Sequence, residues 1–406
     1  MNDPHSASGL RTRSRSPEGV IVALSLCMAL QMTSFVIPLP LFALRLEALG
    51  AGVKALGISA MAFALTSTLA APFMGALADR LGRRYLMLVS LAAYVAAYTG
   101  YLLAPSAAVF IGVRGLAGAF TAGLMPAVTG LAADLAPGHR VARWLGFMSA
   151  GSSIGWAIGP VAGGLIFDRW GYAAALGVTI AMAAAAYLVA LLAIPDARTA
   201  RYVPAATQGG IQAPGRREPL LRRLGLSSSL IVLLLLFFAA MFGWAFIEPP
   251  FMFHAYNDLE WSSSQLGLVM STYAVAMFLG GMTLGGLSDR LGRKPVIIVG
   301  MVLYSAQFFG LATFRSAVPI VAAFVVAGLG NALFDPTLSA SVLEHSPAEH
   351  RTSILGIKSM VGSAGTILGS ALISMLSTTL EARSAFLIAG AAVLLVTAVG
   401  VSGWDD

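Results

Sequence analysis

Gly75 to Arg84 reads GALADRLGRR and Gly285 to Lys294 reads GGLSDRLGRK, so the stretch recurs at an offset of 285 − 75 = 210 positions. Gly75, Leu77, Asp79, Arg80, Leu81, Gly82 and Arg83 are identical in the second copy, which points to duplication. Each copy is a short charged segment between two long apolar ones. That pattern predicts a tight turn joining two hydrophobic helices, made once in each half of a duplicated chain. The same offset pairs Pro40 with Pro250, Gly57 with Gly267, Tyr94 with Tyr304, Pro126 with Pro336, Asp134 with Glu344 and Gly159 with Gly369.

The chain has 406 residues, of which 58% are hydrophobic and 11% charged, with a mean hydropathy of +0.83. Such a composition belongs to a membrane protein. A hydrocarbon core about 30 Å thick needs roughly 20 apolar residues per helical crossing, and the apolar runs are too long and uniform for barrel strands. The spans are expected at 19–43, 55–77, 85–104, 107–135, 144–167 and 171–194, then at 227–253, 264–287, 295–314, 317–344, 353–377 and 384–402. The fold class is therefore all-α integral membrane, with twelve helices in two pseudo-symmetric six-helix bundles at 19–194 and 227–403. A tail at 1–18, a polar linker at 195–226 and a short tail at 404–406 complete the chain. The first run is too long for a cleavable signal core and reads as an uncleaved helix.

Of 25 Lys and Arg residues, Arg45, Lys54, Arg169, Arg315 and Arg383 fall on one side of this topology, and Arg114 falls inside a span. The others share the side of the N-terminus. By the positive-inside rule both termini and the linker are cytoplasmic, in a plasma (inner) membrane. The net charge of +7 is thus topological, and nucleic acid is not an expected partner. Cys27 is the single cysteine, so an intrachain disulfide and a cysteine metal site are excluded.

In the repeated motif, Gly75 and Gly285 are expected to let helices approach, and Gly82 and Gly292 to permit the turn. The charges Asp79, Arg80, Arg83 and Arg84, with Asp134, are expected to form a cytoplasmic gate. Its copy comprises Asp289, Arg290, Arg293 and Glu344. Positive-inside anchoring is the plainer alternative for the arginines. Gly151, Gly155, Gly159 and Gly163 recur every four residues on one helix face, and Pro160 follows Gly159, which suggests either a hinge or a tight seam between halves.

Ionisable residues inside spans are costly unless paired, hydrated or functional. Asp335 lies about 13 to 14 Å from Glu344 by helical rise, hence near mid-membrane. Glu248 lies toward the outer end of the seventh span and Arg114 about two turns into the fourth. The repeat partners of Asp335 and Glu248 are Met125 and Pro38, so both acids break the duplication. Burial disfavours the charged form of an acid, which suits proton loading and release. Asp335 and Glu248 are candidate proton carriers, with Arg114 tuning them, although Glu248 could instead be solvated at the interface and Arg114 structural. Lys358 is expected to snorkel to the cytoplasmic surface. Gln31, Phe35, Trp156, Trp244, Tyr273, Asn331 and Phe334 are candidate cavity residues, each with packing as its alternative. No GxxxxGK[ST] loop occurs, which argues against ATP-driven transport.

These motifs together resemble the major facilitator superfamily over the chain from about Gly19 onward. RGLAG at Arg114 to Gly118 is similar to the buried-arginine motif of proton-coupled members. GWAIGPVAGG at Gly155 to Gly164, with Gly155, Gly159, Pro160, Gly163 and Gly164, is similar to the antiporter motif of the twelve-span drug:proton antiporters. The resemblance implies a secondary transporter working by alternating access, without a cofactor and driven by a proton gradient. It would exchange protons for small amphipathic compounds, act as a monomer in the lipid bilayer and carry no enzymatic activity. A symporter, an exporter of sugars, siderophores or metabolites, and a lipid flippase share that fold; a membrane enzyme or receptor is a more distant alternative.

Overall fold

The computed structural model of the chain describes residues 17–136, 141–195, 227–346 and 351–402. Nearly all of the expected tails and linker, and the short connections 137–140 and 347–350, lie outside the described residues. The first half comprises α1 (Pro17–Val36), α2 (Leu41–Ala48), α3 (Val53–Leu81), α4 (Arg83–Leu103), α5 (Ala107–Thr121), α6 (Leu124–Leu135) and α7 (Val141–Ala193). The second comprises α8 (Ser228–Phe253), α9 (Ser263–Leu284), α10 (Leu287–Leu291), α11 (Arg293–Tyr304), α12 (Ala306–Thr313), α13 (Ala317–Glu344), α14 (Arg351–Leu376) and α15 (Ala382–Ser402).

Eleven helical segments are long and apolar enough to cross a membrane, and the longest, within α7, has 51 residues. A straight helix of that length would run roughly 77 Å, far beyond a hydrocarbon core of about 30 Å. Gly171 resolves the excess: its φ of 78° is non-helical and reverses the chain between two spans. Eleven segments plus this division give twelve crossings among the described residues. No strand interrupts them among those residues.

The duplication is visible as repeated packing. In the first half α1 packs on α7, α3 on α5, and α4 on α5, α6 and α7; in the second α8 packs on α14, α9 on α13, and α11 on α13. The halves meet where α7 touches α9 and where α3 touches α14. Gly82 (φ 99°) and Gly292 (φ 86°) form the turns of the repeated motif, in a backbone region that side chains rarely tolerate. Two boundaries differ from expectation. The first span ends at Val36 rather than running to 43, because Pro38 and Pro40 withdraw donors and the helix restarts only at Leu41. In the second copy of the motif the helix stops at Leu284, where the Gly285-Gly286 pair lowers helix propensity; α3 runs through to Leu81 with Ala76 at the matching place.

Candidate functional site

At the end of the molecule that carries the repeated motif, Arg83 pairs with Asp134 at 2.7 Å and donates to the carbonyl of Gly130 at 2.6 Å. In the copy, Arg293 pairs with Asp289 and with Glu344, each at 2.8 Å. Arg84 donates to the carbonyl of Leu191, and Arg80 and Arg290 are exposed. Each cluster ties helices of one half and none of these pairs bridges the halves. The side chain of Asp79 lies outside the described residues. Gly75 does not bring helices together: a Cβ added there would meet open space, and one added at Gly285 would touch only the carbonyl of Gly281 one turn back. The helix faces here are splayed apart, so the expected close approach is absent.

The glycine run on α7 packs inside its own half. A Cβ on Gly151 would lie 2.7 Å from the Ser25 carbonyl oxygen, on Gly155 2.6 Å from the Thr33 nitrogen, and on Gly159 3.1 Å from Val36 Cβ; at Gly163 it would strike Ile37. The run is thus a seam with α1, not with the other half, and α7 stays helical through Pro160. The seam between halves uses the neighbouring face, where Gly164 abuts the Ser263 backbone and Gly267 abuts the Pro160 carbonyl. At the pseudo-symmetric place Gly57 abuts Ser370 and Ser374. Around these contacts Asp168 accepts the backbone N–H of Ser263 at 3.0 Å and of Ser264 at 2.9 Å, and Ser271 accepts that of Val161 at 3.3 Å. Tyr256 donates to the carbonyl of Pro40 and Asn257 to Glu47.

These hydrogen bonds join the halves at the end opposite the arginine-rich loops. At the arginine-rich end Gly75, Gly146, Gly286 and Gly356 all face open space. The structure is thus closed at one end, where these hydrogen bonds join the halves, and at the basic end the four glycine faces make no contact between them.

At mid-depth lies a cavity of about 150 Å³ lined by Trp156, Met241, Trp244, Met270, Tyr273, Met277 and Asn331, among others. Four of the seven expected residues meet there: Trp156, Trp244, Tyr273 and Asn331. The other three do not line it. Phe334 is fully buried against Tyr304 and Gly300, so it belongs to the packing of α13 on α11. Phe35 sits nearer the closed end in an aromatic box with Phe63, Tyr94 and Arg114. Gln31 is fully buried on α1, where its amide faces Tyr94 and Tyr98.

Arg114 is 8% exposed, its guanidinium 4.7 Å from the ring centre of Phe63 and 5.0 Å from that of Phe42. Stacking between rings offsets part of the cost of burying the charge. Arg114 also acts electrostatically on Glu248 of α8, which has no hydrogen bond or ion pair among the described residues. An arginine of one half thus addresses a carboxylate of the other.

Asp335 does not stand alone, and Lys358 does not snorkel to the surface. Lys358 of α14 pairs with the Asp335 carboxylate at 2.8 Å, donates to Ser339 Oγ at 2.6 Å and lies 4.2 Å from the centre of the Phe237 ring. An acid within reach outweighs the pull of the surface, because an unpaired ammonium inside a span is costly. The Asp335 side chain is 43% exposed, that of Lys358 only 11%. A signal for this pair exists in the sequence: Lys358 stands opposite Met148 in the repeat, as Asp335 stands opposite Met125, so two breaks of opposite charge fall on consecutive spans. The methionines of the cavity and the cross-half role of Asp168 carry no comparable sequence mark.

Solved structures share this architecture. The nucleoside transporter NupG superposes with a TM-score of 0.76 at 15% identity over 95% of this chain and 99% of that one. The human organic anion transporter MFSD10 superposes at 0.66 with 20% identity over 95% of this chain and 100% of that one. At these identities the likeness is one of fold. Among curated proteins, the multidrug resistance protein MdtG of Klebsiella pneumoniae (strain 342) is 26% identical over 372 residues, covering 89% of this chain and 87% of its own. A multi-drug resistance efflux pump PmrA homolog of Lactococcus lactis is 25% identical, covering 87% of both chains. The family model of the Major Facilitator Superfamily matches residues 24–257 and again 233–403. Twelve spans in two duplicated halves, a cavity at mid-depth between them and this match over nearly the whole length lead to one assignment: the chain belongs to the Major Facilitator Superfamily.

Proposed function

We propose that the chain exports small amphipathic compounds in exchange for protons, by alternating access, as a monomer in the plasma membrane with both termini in the cytoplasm. The observation that carries this reading is the Asp335–Lys358 pair, half-open to the crevice at the basic end and one helical turn from Asn331 in the cavity. The multidrug-resistance and efflux descriptions of the two curated relatives support the substrate class. With the basic end cytoplasmic, the structure stands in the arrangement that admits substrate from the cell interior.

In this scheme the apolar body of a substrate lies against Trp156, Trp244 and the methionines, a lining suited to varied shapes because methionine adapts its conformation. A cavity of about 150 Å³ is small for a drug-sized molecule, so loading requires the halves to separate further. Asp335 carries the proton, and Glu248 with Arg114 serves as a second carrier nearer the outer face. Loss of the Asp335 negative charge breaks its pair with Lys358, and that change of charge biases one arrangement of the halves over the other. The charged clusters at Arg83 and Arg293 stiffen each half at the cytoplasmic end, so that the halves move as bodies.

Proton release from liposomes loaded with purified chain, on addition of candidate drugs, tests the reading. Wild type should release protons; Asp335→Asn and Glu248→Gln should lose most of the response. Unchanged coupling in both variants would remove the assigned proton sites, and drug-independent transport of a sugar or lipid would remove the substrate class.

A further inference from the structure

We infer that Lys358 is the specificity-determining residue that makes protons and cationic substrates exclude one another while leaving the binding of neutral amphiphiles unaffected. The inference rests on the reading that Asp335 takes the proton. It adds the group through which that proton is felt in the cavity.

Its starting point is geometry. Asp335 lies one turn below Asn331 on α13, and Phe237, whose ring carries the Lys358 ammonium at 4.2 Å, lies one turn below Met241 on α8. Asn331 and Met241 both line the cavity. The pair therefore forms the floor of the cavity without being part of its wall. A substrate resting on Trp156, Trp244 and Tyr273 lies within reach of the charge of the pair.

The charge of that floor has two values. With Asp335 ionised and bonded to Lys358 at 2.8 Å the floor is neutral overall, and an ion pair of that length has a weak field one turn away. With Asp335 protonated and Lys358 an ammonium, the floor is +1, because Lys358 then faces no ionised carboxylate among the described residues. A cation in the cavity then meets an uncompensated positive charge across apolar surroundings. At about 8 Å and an effective dielectric of about 20, this repulsion weakens binding of a monovalent cation by roughly 30-fold. A neutral molecule of the same shape is little affected. Proton and cation thus compete without sharing a contact.

Other groups around the pair do not cancel this change. Tyr273 of α9 is the other titratable side chain acting on Asp335. Tyr304 of α11 donates to the carbonyl of Ala240. Glu248 of α8 lies nearer the closed end under the charge of Arg114. Arg293 and Glu344 close their own pair at the basic end, where Lys294 and Arg80 also lie, and His345 there bonds back to the Ser341 carbonyl. Lys54 opens α3 at the opposite end.

Equilibrium dialysis of the purified full chain in detergent provides the test, with tetraphenylphosphonium as the cationic probe and triphenylphosphine oxide as the neutral one. Wild type should bind the cation roughly 30-fold more weakly once Asp335 is protonated, and the neutral probe equally at both pH values. Asp335→Asn should bind the cation weakly at every pH. The decisive variant is the double Asp335→Asn with Lys358→Met, which should regain cation binding by 10-fold or more over Asp335→Asn. Lys358→Met alone should bind the cation roughly 30-fold more tightly than wild type at high pH, and this comparison decides if Asp335→Asn does not fold. A double variant that binds the cation no better than Asp335→Asn, while binding the neutral probe normally, overturns the inference, as does a Lys358→Met affinity equal to wild type. Wild type that fails to bind the cation also overturns it. Because dialysis involves no proton flux, restored binding beside unchanged flux in Asp335→Asn would keep the charge rule and discard only the assigned carrier.

Discussion

Replacing Asp168 by alanine should open the closed end. Its two oxygens accept the backbone N–H groups of Ser263 and Ser264 from the other half, at 3.0 and 2.9 Å. These are the first amides of α9, donors that have no partner within their own helix, and Asp168 caps them from a different bundle. A hydrogen bond to a charged group contributes about 1.5–3 kcal/mol. Asp168 is exposed, and solvent screening reduces this to about 1 kcal/mol each, or about 2 kcal/mol for both. That corresponds to roughly a 30-fold change in the ratio of separated to closed arrangements at this end. The assay is the distance distribution between spin labels at Lys54→Cys and Glu381→Cys, measured in a Cys27→Ser background with and without Asp168→Ala. The longer-distance population should grow, and Asp168→Asn, which keeps one acceptor oxygen, should give a smaller increase. Identical distributions for wild type and Asp168→Ala would show that the cap does not hold the halves together.

Other outcomes follow from the same packing. Phe334→Ala removes a fully buried ring and should cost about 3–4 kcal/mol of stability, lowering the melting temperature in detergent. Gly267→Val places a branched side chain against the Pro160 carbonyl, so the halves should fail to close, and the same spin labels should report the long distance in most molecules. Arg83→Ala loses the Asp134 pair and the bond to Gly130; with both side chains of the pair partly exposed, destabilisation of about 1 kcal/mol is expected by thermal unfolding, with the split α3–α4 turn the first region to lose amide protection.

The fold was legible because a bilayer leaves few choices. A run of apolar residues with no water to satisfy its backbone has to be a helix of fixed length, and the offset of 210 then doubles whatever is read once. The arginine–carboxylate pairs were legible for the same reason: Arg83 with Asp134 and Arg293 with Glu344 recur together and sit at span ends of known depth. Depth was recoverable from helical rise, but azimuth was not. Phe334 and Asn331 are three residues apart on α13, only about 60° in rotation, yet one is core and the other faces the cavity. Lys358 shows the same gap. Its distance from the helix start allowed escape to the surface, and only the placement of α14 beside α13 reveals the carboxylate that holds it. The glycine run on α7 was read as a close-packed face, but a face does not name its partner, which proved to be α1.

The two seams between the halves are the same joint made twice, and they are not equally fastened. Where α7 meets α9 the joint is riveted by Asp168 and by the Ser271 hydroxyl. Where α3 meets α14, Gly57 rests on Ser370 and Ser374, and among the described residues no hydrogen bond crosses. The bonds of Tyr256 to Pro40 and of Asn257 to Glu47 tie α8 and its C-terminal extension to the first half between the two seams, so the seam with the fewest direct bonds is the one that parts first. Separation of the halves at the closed end then begins along α3 and α14, off the pseudo-symmetry axis, on the flank away from the glycine run of α7.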